Sequence, residues 1–426
     1  MSLYPAHPAG LPARRAALKL LDAVLRRGEP LELALHGATQ GLPQRADKAF
    51  VHAIAAEVLR HMPDLDALID SATRRVLPSD SKARAVLRIA LAQALILKTP
   101  PHAAIATALP LVDGGPRKLV HGVFGTLMRG EAALPETPTL LPEVAARWEE
   151  QWGADVVESA RQALIAPPAN DLSLKPQEGT ALWCEKLGGT SLLPGHVRLP
   201  QAGDITGLPG FAEGAWWVQD LAASLPARLL GAGEGRHVLD LCAAPGGKTM
   251  QLAANGWRVT AVDQSKKRLE RLTENLVRTG LSAETVTADL RAWQPDVAAN
   301  AILLDAPCTA TGIFRRHPDV LHRIGERQIA ELAELQAALL LRAAQWLKPG
   351  GLLVYATCSL ERAEGEEQVE RFLAASLDFS TDPVGSDLLP SGMEPTPEGW
   401  VRTLPHMLAE QGRLDGFFVA RLRRQG

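Results

Sequence analysis

The chain has few cysteines, and their spacing excludes two classes of protein. Only four occur in 426 residues, Cys184, Cys242, Cys308 and Cys358, and at least 50 residues separate each one from the next. There is no Cys-x-x-Cys pair and no cluster of histidine with cysteine. Zinc sites and disulfide frameworks both require such groupings. The sequence therefore predicts a protein without a bound metal, in a reducing, cytoplasmic environment.

Long apolar segments are also absent. The longest runs, such as residues 89–97, are far shorter than the roughly 20 residues that cross a bilayer. The N-terminal stretch lacks the apolar centre of a secretory signal. We therefore expect no contact with a membrane. An apolar content of 46% with 22% charged residues is typical of globular proteins, and the length suits two or three domains.

Charge is distributed unevenly along the chain. Residues 1–130 contain 17 lysines and arginines against 10 aspartates and glutamates, although the whole chain has a net charge of −3. Six of the eleven histidines fall in the same region. A basic domain on a mildly acidic protein indicates an anionic partner, most commonly a nucleic acid. Solvated helix faces would give the same composition, so this evidence alone leaves both interpretations open.

Three regions differ in their residue patterns. Residues 13–129 show helical periodicity with almost no alternation, which predicts a compact all-α bundle at 1–130. Three prolines in 130–143 mark a linker. We expect a small α+β module over 143–232, and an α/β domain over 233–426.

Short apolar segments alternate with amphipathic helices in the C-terminal region, which predicts a parallel, doubly wound sheet of the Rossmann-like type. The final segment suits a closing antiparallel strand. The segments expected to be strands are 171–176, 180–187, 191–200, 237–242, 258–263, 284–290, 301–308, 351–358 and 415–424.

Chemically active residues recur where these predicted parallel strands end. Ligands bind outside the carboxyl ends of the strands in an open parallel sheet. Three of the four cysteines and a set of carboxylates are therefore expected to meet at one edge of the sheet. The residues at these ends are Asp240, Cys242, Asp263, Asp289, Asp305, Cys308 and Cys358.

A glycine-rich turn over residues 240–249 ("DLCAAPGGKT") joins the first of these strands to a helix. Such a turn allows close backbone approach to a ligand at a helix N-terminus. Asp263 follows Gly247 by 16 residues, near the spacing at which an acid binds ribose hydroxyls. Asp289, after the third strand, could accept a hydrogen bond from an adenine amino group. The pattern indicates a cofactor that contains a nucleoside.

Two enzyme classes compete for this turn. Gly247, Lys248 and Thr249 match the end of a phosphate-binding loop, but Cys242 stands where that loop requires its first glycine. Pro245 removes an N–H group that the phosphates would need. A methyltransferase that uses S-adenosylmethionine needs an acid for the ribose and no phosphate cradle, and it fits better.

The two cysteines at strand ends favour one kind of methyl transfer. C5 of cytosine is too electron-poor to accept a methyl group directly, but a thiolate that adds to C6 makes it nucleophilic. Loss of the C5 proton after transfer eliminates the thiolate. Asp305 and Cys308 on one strand end, and Cys358 on another, supply an acid and two thiols for this chemistry.

These motifs resemble the Sun-type RNA (cytosine-5) methyltransferases. The resemblance is carried by residues 240–249, 305–319 ("DAPCTATGIFRRHPD"), 355–369 ("YATCSLERAEGEEQV") and 404–418 ("LPHMLAEQGRLDGFF"). Residues 1–130 are similar to the helical RNA-binding fold of the NusB family. The resemblance covers nearly the whole chain. It implies transfer of a methyl group from S-adenosylmethionine to a cytosine C5 in 16S rRNA.

The resemblance also implies roles for individual residues. Cys358 matches the nucleophile, Cys308 the cysteine that assists product release, and Asp305 the acid beside base and cofactor. Two interpretations of Lys248 stay open: its side chain approaches the reaction centre, or it is an ordinary lysine at the N-terminus of a helix. The positions that match cofactor-binding residues are Cys242, Ala243, Ala244, Pro245, Gly246, Gly247, Lys248, Asp263, Asp289 and Asp305.

One departure concerns the middle module. Many relatives carry Arg-x-Asn where this chain has Ser173, Leu174 and Lys175, which puts an RNA contact from this module in doubt. Trp216 and Trp217 could stack on RNA or pack in the core.

Three functions stay open on the sequence. The leading hypothesis is a monomeric rRNA methyltransferase. The fused basic domain favours rRNA over tRNA, and this preference rests only on the family resemblance. The second moves the same chemistry to tRNA. The third is a non-catalytic RNA-binding assembly factor, against which the intact cysteine pair and the intact glycine-rich turn argue.

Overall fold

The computed structural model describes residues 10–175, 177–200, 203 and 205–426. The chain divides into two compact units. The first extends to Arg147 and also includes Arg316–Arg323, whereas the second comprises Trp148–Arg315 and Ile324–Gly426. The middle module and the α/β region therefore lie in one unit. The division into three domains stays a prediction.

The first unit is helical, and no strand occurs among its described residues. Its core is built from small and aliphatic side chains on the inner faces of the helices. This confirms the predicted all-α region. Its helices are α1 (Leu11–Arg27), α2 (Leu31–Ala38), α3 (Arg45–Arg60), α4 (Met62–Ser71), α5 (Lys82–Leu91), α6 (Pro101–Ala108) and α7 (Gly114–Arg129).

A segment distant in sequence completes this unit. This segment is Arg316–Arg323, and its Asp319 accepts a hydrogen bond at Oδ2 from the Leu31 amide, at 3.3 Å. His322 Nε2 donates to the Leu59 carbonyl at 2.6 Å. Asp319 is buried, with 2% exposure, so its bond to the N-terminus of α2 is shielded from water.

The second unit begins with a small antiparallel sheet of strand order β2-β1-β3. Residues 180–187, expected to be a strand, form a helix instead. Gly179 and Gly188 flank it in the left-handed conformation, and Trp183 and Leu187 share its inner face because they are four residues apart. The elements are α8 (Pro142–Trp152, of which the residues up to Arg147 belong to the first unit), α9 (Ala154–Ala163), β1 (Asp171–Leu174), α10 (Thr180–Leu187), β2 (His196–Arg198) and β3 (Trp216–Val218).

The remaining elements form a large mixed sheet with helices on both faces, of strand order β10-β11-β8-β7-β4-β5-β6, with β9 paired to β11. Its elements are α11 (Leu221–Arg228), β4 (His237–Leu241), α12 (Gly247–Ala254), β5 (Arg258–Asp263), α13 (Lys266–Thr279), β6 (Glu284–Thr287), β7 (Ala299–Asp305), α14 (Val320–Arg323, in the helical unit), α15 (Glu326–Gln345), β8 (Leu347–Thr357), α16 (Glu366–Ala375), β9 (Phe379–Thr381), β10 (Val401–Thr403) and β11 (Phe417–Arg424).

Strands β4 to β8 pair in parallel, and β11 pairs antiparallel to β8. The predicted sheet and its closing strand are thus confirmed. The central strands read as continuous apolar runs because helices cover both faces. All five parallel strands end at one edge, and Gly280 ends α13 with φ +61°, as its position predicted. None of the described helices combines the length and apolar character that a bilayer span requires.

Candidate active site

The carboxyl ends of four parallel strands line one cavity. Cys242 follows β4, Asp263 ends β5, Asp305 ends β7, and Cys358 follows β8. A cavity of about 410 Å³ is bounded by all four residues and by Cys308, three residues after Asp305. Asp289, two residues beyond β6, lines the same cavity. The structure therefore brings together six of the seven residues that the strand pattern placed at this edge, whereas Asp240 does not line the cavity.

Two thiols meet at the floor of the cavity. Cys308 Sγ and Cys358 Sγ lie 3.5 Å apart, within hydrogen-bond distance for sulfur. Both residues are partly exposed. The hydrogen bond with Cys358, together with burial, raises the pKa of the Cys308 thiol well above its ordinary value. Cys308 therefore keeps its proton in the resting site, which suits it as the hydrogen-bond donor of the pair rather than the nucleophile.

A lysine and a carboxylate form an ion pair beside the thiols. Lys248 Nζ donates to Asp305 Oδ2 at 2.7 Å and lies 5.5 Å from the centre of the Phe417 ring. Burial alone would lower the pKa of Lys248, but the charge and hydrogen bond of Asp305 outweigh it, and nearby Cys358 also raises it. Lys248 is therefore an ammonium group at the site, and not a solvent-facing lysine at a helix end.

The glycine-rich turn is hydrogen-bonded to the end of strand β5. Asp263 accepts hydrogen bonds from the backbone amides of Ala244, at 3.2 Å, and Ser265, at 2.9 Å. Gly246 has φ +106°, and a Cβ at this position would lie 2.7 Å from Leu272 Cγ. Only glycine fits this conformation and this close approach to α13.

Cys242 is a different kind of cysteine from the other two. Burial raises the pKa of its thiol to about 12, and the carboxylates of Asp305 and Asp263 add to the effect. Such a thiol is unreactive at neutral pH. Cys242 therefore contributes to the cavity wall, as a member of the turn, and supplies no nucleophile.

Asp289 lies at the open end of the cavity. Its carboxylate forms hydrogen bonds to the Arg291 guanidinium, the closest at 2.7 Å, and these bonds lower the pKa of Asp289 to about 2. The side chain is 43% exposed. It is therefore ionised and open to a ligand, whereas Asp263 is buried. No group of three histidine, cysteine or acidic side chains within the described ranges is arranged to hold a metal ion.

The ambiguous residues of the middle module have structural partners. Lys175 Nζ donates to the Thr279 carbonyl at the end of α13, at 2.6 Å. Trp216 is fully buried and donates through Nε1 to the Pro209 carbonyl; Trp217, with 3% exposure, donates to Gln219 Oε1. Both tryptophans therefore pack in the core, which settles the alternative that the sequence left open.

Comparison with known proteins agrees with this geometry. The family described as "16S rRNA methyltransferase RsmB/F" matches residues 227–423, and the NusB family matches residues 11–127. Ribosomal RNA small subunit methyltransferase B of Klebsiella pneumoniae is 35% identical over 439 residues, covering 96% of this chain and 97% of that protein. The chain belongs to the ribosomal RNA small subunit methyltransferase B family.

Other relatives of the methyltransferase support the same assignment. The protein of the same name from Xanthomonas campestris is 36% identical over 400 residues, covering 89% of this chain and 91% of that one. The crystal structure of a methyltransferase homologue from Pyrococcus horikoshii has a TM-score of 0.56 at 27% identity, covering 66% of this chain and 94% of that chain. The enzyme is an RNA methyltransferase with a NusB-like N-terminal region, as the motifs predicted.

Three residues at or near the site were not predicted from the sequence. Arg268 lines the cavity and lies 3.5 Å from Asp263, and its place in the first turn of α13 could have indicated this. Phe417 sits under Lys248, although its strand reads only as apolar. Glu364 falls in a charged stretch that resembles an exposed helix start, yet it is fully buried.

A buried carboxyl group lies behind the methyltransferase cavity. Asp240 has no exposed surface; Oδ2 accepts a hydrogen bond from Thr249 Oγ1, and Oδ1 has no partner. Burial raises the pKa of Asp240 from 3.8 to about 7. The unfolded chain therefore loses this proton at lower pH than the folded one, and stability conferred by the neutral carboxyl is lost as pH rises through about 7.

We expect Asp240→Asn to weaken this pH dependence. The neutral amide still accepts the Thr249 bond and never ionises, so the free energy of unfolding should decline less between about pH 4 and about pH 7. The difference from wild type should reach a few kcal/mol at most, since one pKa unit corresponds to about 1.4 kcal/mol. Urea titrations across this range measure it, with exposed Asp296→Asn as control. Parallel stability curves for Asp240→Asn and wild type would contradict the prediction.

Proposed function

We propose that this methyltransferase transfers a methyl group from S-adenosylmethionine to C5 of a cytosine in 16S rRNA, through a covalent bond between Cys358 and C6. The observation that carries the proposal is the pair of thiols 3.5 Å apart beside the Lys248–Asp305 ion pair. The enzyme would act as a cytoplasmic monomer without a metal, binding RNA through the helical region and the middle module.

The cavity residues fit S-adenosylmethionine. Asp263 and Asp289 stand at adjacent strand ends, where carboxylates accept hydrogen bonds from ribose hydroxyls and an adenine amino group. Leu335 and Leu339 offer apolar contact to a base. When bound, the cofactor supplies an electrophilic methyl group on a sulfonium.

Cys358 carries the covalent step in this mechanism. Its thiolate adds to C6 of the cytosine, forming a carbon–sulfur bond and placing electron density on C5. The Lys248 ammonium stabilises the thiolate by charge, which fits the contribution of Cys358 to its raised pKa. Asp305, held by Lys248, faces N3 of the base. Because a carboxylate and N3 are both acceptors, the two bond through one proton, which N3 keeps as the adduct forms. The base leaves its stack to reach the thiol.

Cys308 acts after methyl transfer. In the resting site its hydrogen bond with Cys358 is the main cause of its raised pKa. Once the Cys358 sulfur is bonded to C6, that cause disappears and Cys308 loses its proton to water more readily. It then takes the C5 proton, directly or through water, as the carbon–sulfur bond breaks and Cys358 leaves.

Asp263→Asn should weaken cofactor binding. The amide keeps the shape of the side chain but loses the charge, and its NH₂ group opposes a backbone amide of Ala244 or Ser265. We expect the Kd for S-adenosylhomocysteine to rise at least about 10-fold, measured by calorimetry. Exposed Asp296→Asn provides the control. An unchanged Kd in a variant that melts as wild type would contradict the assignment.

The substrate can be identified directly. Purified enzyme with S-adenosylmethionine is expected to methylate deproteinised 16S rRNA, and bisulfite sequencing should locate one new 5-methylcytosine that is missing from a deletion strain. Methylation of tRNA alone would favour the second hypothesis. If binding occurs without methylation of either RNA, the non-catalytic assembly factor is the better explanation.

A further inference from the structure

A buried glutamate lies beneath both thiol-bearing loops. Glu364 has no exposed surface and ends a short 3₁₀ turn, Arg362–Glu364, six residues after Cys358. Its carboxylate accepts four hydrogen bonds. Three come from the residues that directly follow the two cysteines, Thr309 and Ser359.

The two carboxylate oxygens divide these contacts. Oε1 accepts from the Thr309 amide and from Gln336 Nε2, each at 2.9 Å. Oε2 accepts from the hydroxyl groups of Thr309 and Ser359. One carboxylate therefore joins the loop of Cys308 to the loop of Cys358.

Neighbouring groups extend this link. Gln336 Nε2 also donates to the Pro307 carbonyl at 2.9 Å, so the Cys308 loop is held on both sides of the cysteine. The Tyr355 hydroxyl donates to the Glu364 carbonyl at 2.7 Å, which fixes the glutamate to strand β8. The Gly312 amide donates to the Cys358 carbonyl at 3.0 Å. These contacts leave the two loops little freedom to move apart.

A carboxylate is a costly choice for this position. Burial raises the pKa of Glu364, and the bonds from Ser359, Thr309 and Gln336 act against that rise. Among the residues that the structure describes, no lysine or arginine pairs with it. Neutral donors alone therefore compensate a buried anion, whereas a core chosen for stability would use apolar groups. Only a carboxylate offers enough acceptors for four donors converging on one side chain.

We propose that Glu364 is a positioning residue that holds Cys308 and Cys358 at the separation their chemistry requires. It touches neither thiol through a hydrogen bond and acts through Thr309 and Ser359. The consequence for catalysis rests on the proposed function, because both adduct formation by Cys358 and release by Cys308 depend on this spacing. Misplacing a reacting group by about 1 Å can cost about 100-fold in rate.

Glu364→Gln tests the proposal, with exposed Glu367→Gln as the matched control. The amide keeps the size of the side chain but turns a donor toward Thr309 or Ser359. We expect kcat to fall about 10- to 100-fold while KM for RNA and for S-adenosylmethionine stays within about 2-fold. Glu367→Gln should behave as wild type. An unchanged kcat, or a loss confined to KM, would overturn the proposal.

A second readout does not depend on methyl transfer. Diamide takes two hydrogens from a pair of thiols, becoming a hydrazine as the disulfide forms. Mass spectrometry of the Cys308–Cys358 cross-link then reports how well the two sulfurs are held together. We expect cross-linking at least about 5-fold slower in Glu364→Gln than in wild type or Glu367→Gln, since loop freedom lowers the effective concentration of one thiol at the other.

The two readouts separate the possible failures. Slower cross-linking in an enzyme that methylates no cytosine would support the positioning role and reject the proposed function. Equal cross-linking in a folded Glu364→Gln protein would reject the positioning role whatever the activity. If that variant does not fold, Ser359→Ala removes one of the four bonds and leaves the carboxylate in place. Ser359→Ala should lower both kcat and the rate of Cys308–Cys358 cross-linking, as expected for Glu364→Gln. Wild-type values of both would reject the positioning role of Glu364.

Discussion

Cys358→Ala is expected to abolish methyl transfer, lowering the rate by about 1,000-fold or more, while S-adenosylmethionine still binds. Without the thiolate, nothing in the site activates C5 of the cytosine, and loss of a covalent nucleophile generally has effects of this size. The proposed cofactor residues Asp263 and Asp289 keep their own hydrogen-bond partners, which do not include Cys358. Transfer of radiolabelled methyl to rRNA and calorimetric binding of S-adenosylhomocysteine measure the two effects separately.

Cys184→Ala is the matched control for this substitution. Cys184 packs against the small core of the middle sheet, away from the cavity. We expect its removal to leave methyl transfer within about 2-fold of wild type. Substantial residual activity in Cys358→Ala would reject Cys358 as nucleophile and direct attention to Cys308, the other thiol at the cavity floor.

Cys308→Ala should instead trap a covalent complex of protein and RNA. In the proposed mechanism Cys358 can still add to C6 and the methyl group can still be transferred, but the proposed base for the C5 proton is lost. The carbon–sulfur bond then persists. We expect a band that resists denaturation and runs above the free protein in the presence of RNA and S-adenosylmethionine, with turnover reduced at least about 100-fold.

The control for the trapped complex is the double variant Cys308→Ala/Cys358→Ala. It should give no band, because the attacking thiol is absent. A band that persists in the double variant would place the covalent bond on another residue. If Cys308→Ala turns over as wild type and gives no band, Cys308 has no role in release.

Much of the fold follows from local sequence patterns. Four apolar parallel strands and the helices between them were predictable because a buried parallel sheet produces long apolar runs and α13 carries leucines at helical spacing. The fifth strand, β6, is polar and mostly exposed, and it was predictable only from its place in the alternation of strands and helices. Because parallel strands end at one edge of a sheet, the sequence alone also predicted that Asp263, Asp305 and Cys358 lie close together. Turns and the ends of strands depend mainly on residues that are close in sequence, so they can be predicted from the sequence.

The remainder depends on contacts between distant residues. Segment 180–187 was wrongly expected to be a strand because a two-turn helix leaves too few residues to distinguish the two periods. The sequence put an RNA contact by the segment around Lys175 in doubt, but it could not show that this lysine bonds to the Thr279 carbonyl, 104 residues away. The burial of Glu364 depends on donors from three separate segments, which no local pattern encodes.

The return of residues 316–323 to the helical unit constrains how the protein can be made and divided. Asp319 and His322 bond to Leu31 and Leu59, so the helical unit lacks part of its structure until translation has passed residue 323. By then β4 to β7 have already been synthesised. The N-terminal region therefore gains these two contacts only after most of the methyltransferase strands have been synthesised, and a truncation at its linker would separate the Leu31 amide and the Leu59 carbonyl from their partners.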